Sequence, residues 1–287
     1  MIKSPLRYPG GKSRGVKFLA EFIPPYKSFR EVFFGGGSLS FYCIQQYKDA
    51  QYSASDLNYE LYCFWSQLKD KGVELINEIQ KIYNQYKTDS NGKLLFNMLV
   101  ERRNNNLTEL QRATDFFVLN RITFSGVVDS GGYSQGSFEG RFTQSSIDRL
   151  KQTIPIIQPI QFYCEDFSYL VKRPGDEVFI FLDPPYYTAT KSKLYGKKGI
   201  LHTSFDHQLL FETLQNSPHQ WLITYDNSEY IKSLYKDFYQ WEWQLQYGMT
   251  TRTNAAFPLG NELLIANYDL AKVREANTKN LKVQLIG

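Results

Sequence analysis

Three short apolar runs, at 29–34, 178–182 and 221–224, are rich in β-branched and aromatic residues, and each leads into a turn or a polar residue. Runs of this length without polar alternation predict strands buried on both faces, as in a parallel sheet. Between them, 39–47 and 207–215 carry apolar residues at helical spacing. The alternation predicts an α/β fold with a doubly wound, Rossmann-like sheet. Such sheets bind ligands beyond the carboxyl ends of their strands, so the polar residues that close each run are the ones to inspect.

The stretch 59–150 breaks this alternation. It is polar and helix-compatible over 72–87 and 107–120, then glycine-rich over 125–140, with Gly126, Gly131, Gly132, Gly136 and Gly140. The pattern predicts a mostly helical domain at 59–150 inserted into a sheet domain made of 1–58 and 151–287, with 125–140 a mobile loop. The polar end of the chain, with Lys272, Arg274, Glu275 and Lys279, is expected to be a peripheral tail.

A chain of 287 residues is long enough for a large α/β domain with a smaller insertion. The net charge of +4 fits a protein that meets a polyanion on one face, without arguing for nucleic acid unaided. Aromatic residues make up 16 % of the chain, enough to leave some for stacking on bases. Cys43, Cys63 and Cys164 form no CxxC pair, so neither a disulfide framework nor a zinc site is expected, and a reducing cytoplasm is the simplest home. His202, His207 and His219 show no metal spacing. The first twenty residues lack an apolar core segment and no apolar run approaches a membrane span, so neither export nor insertion is expected.

Directly after the apolar run 178–182 comes Asp183-Pro184-Pro185-Tyr186. Consecutive prolines hold Asp183 and Pro184 extended, which fixes the carboxylate and the Pro184 carbonyl at the strand end. The N6 of adenine is a poor nucleophile because its lone pair is delocalised into the ring. Two acceptors that take its two N–H hydrogens favour a pyramidal nitrogen and aim the lone pair at an electrophile. Tyr186 offers a ring face for a base removed from a duplex.

The segment from Arg30 to Leu39 reads as a strand, a glycine turn and the start of a helix, with Ser40 in place of the last glycine of a GxGxxG fingerprint. Its glycines would let a cofactor approach the backbone. Nineteen residues after Gly37 stands Asp56, closing a second strand where an acid would accept hydrogen bonds from ribose hydroxyls. These features do not separate a nicotinamide cofactor from S-adenosylmethionine. The segment Tyr8-Pro9-Gly10-Gly11-Lys12-Ser13 is not a phosphate loop, because the first glycine of that motif would fall at Leu6.

Together these three segments, in this order and over nearly the whole chain, resemble the Dam-type adenine-N6 DNA methyltransferases. The resemblance implies S-adenosylmethionine as cofactor and double-stranded DNA as partner, and with no metal-ligand spacing in the sequence no metal is expected. It implies cofactor contacts from Tyr8 and Lys12, from Glu31, Phe33, Gly35, Gly37 and Ser38 of the glycine motif, from Asp56, and from Asp166, Phe167 and Asp183. The catalytic motif is then Asp183, Pro184, Pro185 and Tyr186. Where Dam proteins carry an Asn-Gly and an Arg-Tyr-Asn-like stretch, this chain has 120–126 and 129–133 of different sequence, so their recognition sequence does not transfer.

DNA contacts are expected from Arg121 and Arg141, to phosphates or base edges, and from Tyr133 and Phe138, as wedges between bases. Lys191, Lys193, Lys197 and Lys198 are expected to neutralise the DNA backbone. A monomer is expected, with any cognate restriction endonuclease acting separately. The alternatives are an N4-cytosine DNA methyltransferase, which uses the same positioning chemistry, and a catalytically silent DNA-binding relative.

Overall fold

The computed structural model describes residues 1–88, 90–188, 205–246 and 259–284. Among them seven strands form one sheet: β1 (Ser28–Val32), β2 (Gln51–Ser55), β3 (Ile160–Tyr163), β4 (Val178–Leu182), β5 (Gln220–Asp226), β6 (Tyr239–Gln246) and β7 (Leu259–Ala266). Their order is β3-β2-β1-β4-β5-β7-β6. The first five pair in parallel, and β7 runs antiparallel between β5 and β6. The three apolar runs are β1, β4 and β5, the centre of the sheet, and every residue of β1 and β4 is buried. The first run stops two residues short of its predicted end, because Phe33 takes a φ of +65° and turns the chain. The winding direction reverses between β1 and β4, whose ends Val32 and Leu182 lie side by side. The crevice of a doubly wound sheet opens at such a point.

The helices Ser38–Gln46 and His207–Gln215 form where the apolar spacing predicts them. The segment 59–150 is helical, comprising Tyr59–Asp70, Gly72–Thr88, Gly92–Arg102, Glu109–Ile122 and Gln135–Arg141, and ending in Gln144–Ile157, which continues past 150 and delivers the chain to β3. Tyr59–Asp70 binds this segment to the sheet. Trp65 packs edge-on against Phe34 at 5.3 Å, and Phe64 stacks on Phe117 of Glu109–Ile122 at 5.9 Å. One buried cluster therefore joins the helices to one face of the sheet.

Two expectations are corrected. The glycine-rich stretch 125–140 is not loop throughout, because Ser134 caps Gln135–Arg141 by accepting the Ser137 N–H and Phe138 anchors that helix in the core. The polar end of the chain is not a free tail. Leu270–Gln284 is a helix, from which Arg274 donates to Glu21 at 2.9 Å and lies over the Trp241 ring at 5.1 Å. Asn277 donates to the carbonyls of Glu21 and Ile23. Apolar stems and cation–π contacts let polar residues cover a sheet edge. No described helix is long and apolar enough to cross a membrane.

Candidate active site

All three motifs of the sequence converge on a cleft of about 540 Å³ at the carboxyl ends of the parallel strands. Its walls are 8–12, 31–39, 55–58, 165–167, Phe181 and 183–186, with Phe205, Asp206 and Leu209 closing one side. Every residue assigned to the cofactor or to catalysis from the sequence is in this lining.

The end of β1 is built from unusual backbone. Phe33, Gly35 and Gly37 all have positive φ. Such a conformation is strained for a residue with a side chain and cheap for glycine. The glycines here also admit the protein's own rings. A Cβ on Gly35 would come within 2.7 Å of the Tyr8 ring, and one on Gly37 within 2.3 Å of the Phe34 ring. These glycines therefore have a structural reason that is independent of any cofactor. Asp56 at the end of β2 accepts the Gly35 N–H at 2.9 Å and the Asn58 N–H at 3.0 Å, and the Trp65 indole donates to the Gly35 carbonyl at 3.0 Å. Both backbone groups of Gly35 are held, and the Asp56 carboxylate, whose pKa burial raises, keeps lone pairs free toward the cleft.

Glu31 is fully buried and accepts the Ser40 backbone N–H at 2.9 Å as well as the Ser40 hydroxyl, at the start of Ser38–Gln46. Burial pushes its pKa up to about 8 although both bonds oppose the shift. At the other end of the cleft Phe33, Phe167 and Phe205 form an aromatic corner, with ring centres 5.5 to 6.0 Å apart. Asp166 caps Phe167–Lys172 by accepting the Ser168 N–H, which sets the position of Phe167.

The centre of the site is Asp183. Lys12, only 4 % exposed, donates to both Asp183 oxygens at 2.8 and 3.0 Å, and the Thr224 hydroxyl of β5 donates to Oδ1 at 2.7 Å. The Lys12 ammonium also lies 4.9 Å from the centre of the Tyr186 ring and 3.9 Å from Glu262 of β7. Beyond the motif, Asp226 accepts the backbone N–H of Tyr187 at 2.8 Å and of Thr188 at 3.3 Å, which fixes how the chain leaves the site. Sequence reasoning assigned no role to Thr224, Asp226 or Glu262. The first two stand at the carboxyl end of an apolar strand, the same signal that picked out Asp183.

The residues assigned to DNA divide differently. Phe138 is 1 % exposed and fills the space above Gly92, where a Cβ would meet its ring at 2.5 Å, so it is a core residue and not a wedge. Arg121 is likewise not on the surface. It is 6 % exposed with its guanidinium over the Phe117 ring, and burial together with Arg7, Arg149 and Arg141 pushes its pKa down to about 9. Its Nε has no hydrogen-bond partner among the described residues. Arg141 is exposed, and Tyr133 is half-buried against Phe96. Lys191, Lys193, Lys197 and Lys198 lie outside the described residues.

Asn120 links the helical segment to the cleft. Its side chain accepts the Arg7 N–H at 3.1 Å and donates to the Arg7 carbonyl at 2.7 Å, directly before Tyr8. Phe124, two residues after Ile122, is 52 % exposed.

The strand order with its antiparallel β7, and the motifs gathered at the carboxyl ends of β1, β2 and β4, define a Rossmann-like methyltransferase. The chain belongs to the D12 class N6 adenine-specific DNA methyltransferases, whose family model matches residues 8–249. It is 25 % identical to the type II methyltransferase M.MjaIII of Methanocaldococcus jannaschii, over 68 % of this chain and 72 % of that protein. It is 25 % identical to the type II methyltransferase M1.LlaDCHI of Lactococcus lactis subsp. cremoris, over 91 % and 94 % respectively. Similarity to the DNA N-6-adenine-methyltransferase of Escherichia phage P1 is 23 %, over 82 % of this chain but 31 % of the phage protein. The enzyme is therefore a DNA methyltransferase specific for adenine N6, with DNA as its substrate.

Proposed function

We propose that the enzyme takes its methyl group from S-adenosylmethionine and delivers it to an adenine extruded from duplex DNA, with Asp183 and the Pro184 carbonyl as acceptors for the target amine. The observation that carries this reading is that Asp183 shares one cleft with the β1 glycine turn and Asp56. The cleft fits the cofactor in size, since pockets for such ligands run to about 300–1,000 Å³. Its chemistry fits as well. Asp56 is suited to ribose hydroxyls and the Phe33, Phe167 and Phe205 corner to a purine. When bound, the cofactor supplies an electrophilic methyl on a sulfonium.

The chain's own part is positioning. Thr224 and Lys12 fix the Asp183 carboxylate, the prolines hold its backbone, and the Tyr186 ring offers a face to the extruded base. Burial raises the Tyr186 hydroxyl well above its ordinary pKa, so it stays neutral beside that base.

The helices of 59–150 are read as the target-recognition domain. The exposed Arg141 and Arg149 and the half-buried Arg7, gathered around the buried Arg121, form a positive cluster suited to holding phosphates, which sets register without reading sequence. The exposed Phe124 takes over the wedge role first given to Phe138. The protein is taken to act as a monomer in the cytoplasm. A separate endonuclease of the same specificity would be its partner, as the type II methyltransferases among its relatives imply.

Mass spectrometry of nucleosides from DNA treated with the purified enzyme and S-adenosylmethionine should show N6-methyladenine. Product only with another methyl donor, or none from duplex DNA, would overturn the reading. The two halves of the cleft should also separate by mutation. Asp56→Ala should weaken binding of S-adenosylhomocysteine by about tenfold or more, the usual loss of hydrogen bonds to a charged acceptor. Tyr186→Ala should slow methyl transfer while leaving that affinity within a few-fold. Calorimetry and single-turnover rates check both, and equal effects on cofactor affinity would refute the division.

A further inference from the structure

Glu262 stands on β7, 1 % exposed, and neither of its carboxylate oxygens makes a hydrogen bond among the described residues. The Tyr186 hydroxyl faces it as the one neighbouring O–H that could donate, without a well-formed bond to it. A buried carboxylate with no well-formed hydrogen bond and no seated cation is costly, so its retention calls for a reason. The nearest cation is Lys12, with Nζ 3.9 Å from Oε1. That ammonium is already committed elsewhere, to Asp183 at 2.8 and 3.0 Å and to the Gly10 carbonyl at 3.2 Å. One buried cation thus stands between two carboxylates and is seated on only one of them.

Asp183 is also the group that the target amine needs. An ammonium seated on it takes a lone pair on each oxygen, Thr224 takes the other on Oδ1, and the ammonium adds positive charge beside a nitrogen that becomes positive as the methyl arrives. Lys12 can leave without losing a counter-ion, since a shift of about 1 Å brings it to ordinary ion-pair distance from Glu262.

We propose that Glu262 is a second seat for the Lys12 ammonium, occupied when the target amine takes Asp183. Glu262 is then a positioning residue that acts through Lys12 and frees the acceptor for the base. This rests on the reading of Asp183 as that acceptor.

The charged and titratable groups facing Glu262 are Lys12, Asp183, Tyr186 and Asp226. Burial pushes its pKa up to about 7, with Lys12 opposing the shift. Only the ionised form can receive an ammonium, so the single-turnover rate should fall as pH drops through about 7.

The test uses the full chain, unmethylated plasmid DNA and radiolabelled S-adenosylmethionine under single-turnover conditions, with Glu262→Gln, Lys12→Met and the double variant. Glu262→Gln should slow transfer by about tenfold, within the range for coupled neighbours, and lose the low-pH limb. It should leave S-adenosylhomocysteine affinity within about twofold, and in the Lys12→Met background it should have almost no effect. The same loss in both backgrounds, a retained low-pH limb or a parental rate would each sink the proposal. Asp183→Ala separates the two levels. If it keeps parental turnover, the acceptor reading fails, whereas an inactive Asp183→Ala with a harmless Glu262→Gln sinks the second seat alone. Should Glu262→Gln not fold, pH profiles of the parent and of Lys12→Met decide, the limb being required in the first and absent from the second.

Discussion

Asp183→Ala should lower the single-turnover rate of methyl transfer by about 10²- to 10³-fold, the usual loss when a prepositioned polar partner of the transition state is removed. Asp183 is held by the Thr224 hydroxyl and by Lys12, and among the described residues no other acid stands at the end of β4. Removing one member of a buried ion pair commonly destabilises a protein as well, because the partner is left charged and unpaired. Here Glu262 remains 3.9 Å from Lys12 and can take over as counter-ion, so the variant should stay folded. Circular dichroism would establish the fold, and rates measured well below its melting temperature would then report chemistry. A variant within a few-fold of the parent would remove Asp183 from its role.

Phe138→Ala should destabilise the protein by about 3–5 kcal/mol, the range for deleting a buried phenylalanine. The ring is 1 % exposed, lies against Phe142 and Tyr133, carries the Lys87 ammonium at 4.7 Å and occupies the space left by Gly92. Alanine would leave a cavity among the helices Gly72–Thr88, Gly92–Arg102 and Gln135–Arg141, where the short last helix has little else to anchor it. Urea unfolding measures the loss. Phe138→Leu should recover much of it, since most of the volume returns. The folded fraction of Phe138→Ala should methylate the same sites as the parent. Unchanged stability with a shifted methylation motif would instead return Phe138 to the DNA interface.

The contrast between these two residues marks how far the sequence could be read. Asp183 was found because its signal is local, an acid locked by two prolines at the end of an apolar strand. Asp56 and the glycine turn carry signals of the same kind. Phe138, in contrast, sits in a glycine-rich stretch that reads as an exposed loop. Whether an aromatic there faces solvent depends on Gly92, more than forty residues away in the chain, which clears the space that the ring fills. Arg121 is a similar case. An arginine beside a glycine-rich stretch reads as a surface contact, but tertiary packing places it over Phe117 among three other arginines. Glu262 opens a stretch, 262–268, that is similar to the family's, but nothing local gave it a role, since its meaning depends on Lys12 and Tyr186 reaching it across the sheet.

The sequence by itself determined the α/β alternation, the three central strands, the helical character of 59–150 and which residues stand at the ends of β1, β2 and β4. Period and turn chemistry act over a few residues, and the backbone at a strand end needs no distant partner to be recognised. Only the tertiary structure decided that Lys12 sits on Asp183 with Glu262 in reserve, that Asn120 ties the helical segment to Tyr8, and that the last helix covers the sheet edge. Each of these joins residues roughly a hundred or more positions apart. Such contacts follow from which faces are buried together, and local propensity carries no record of that.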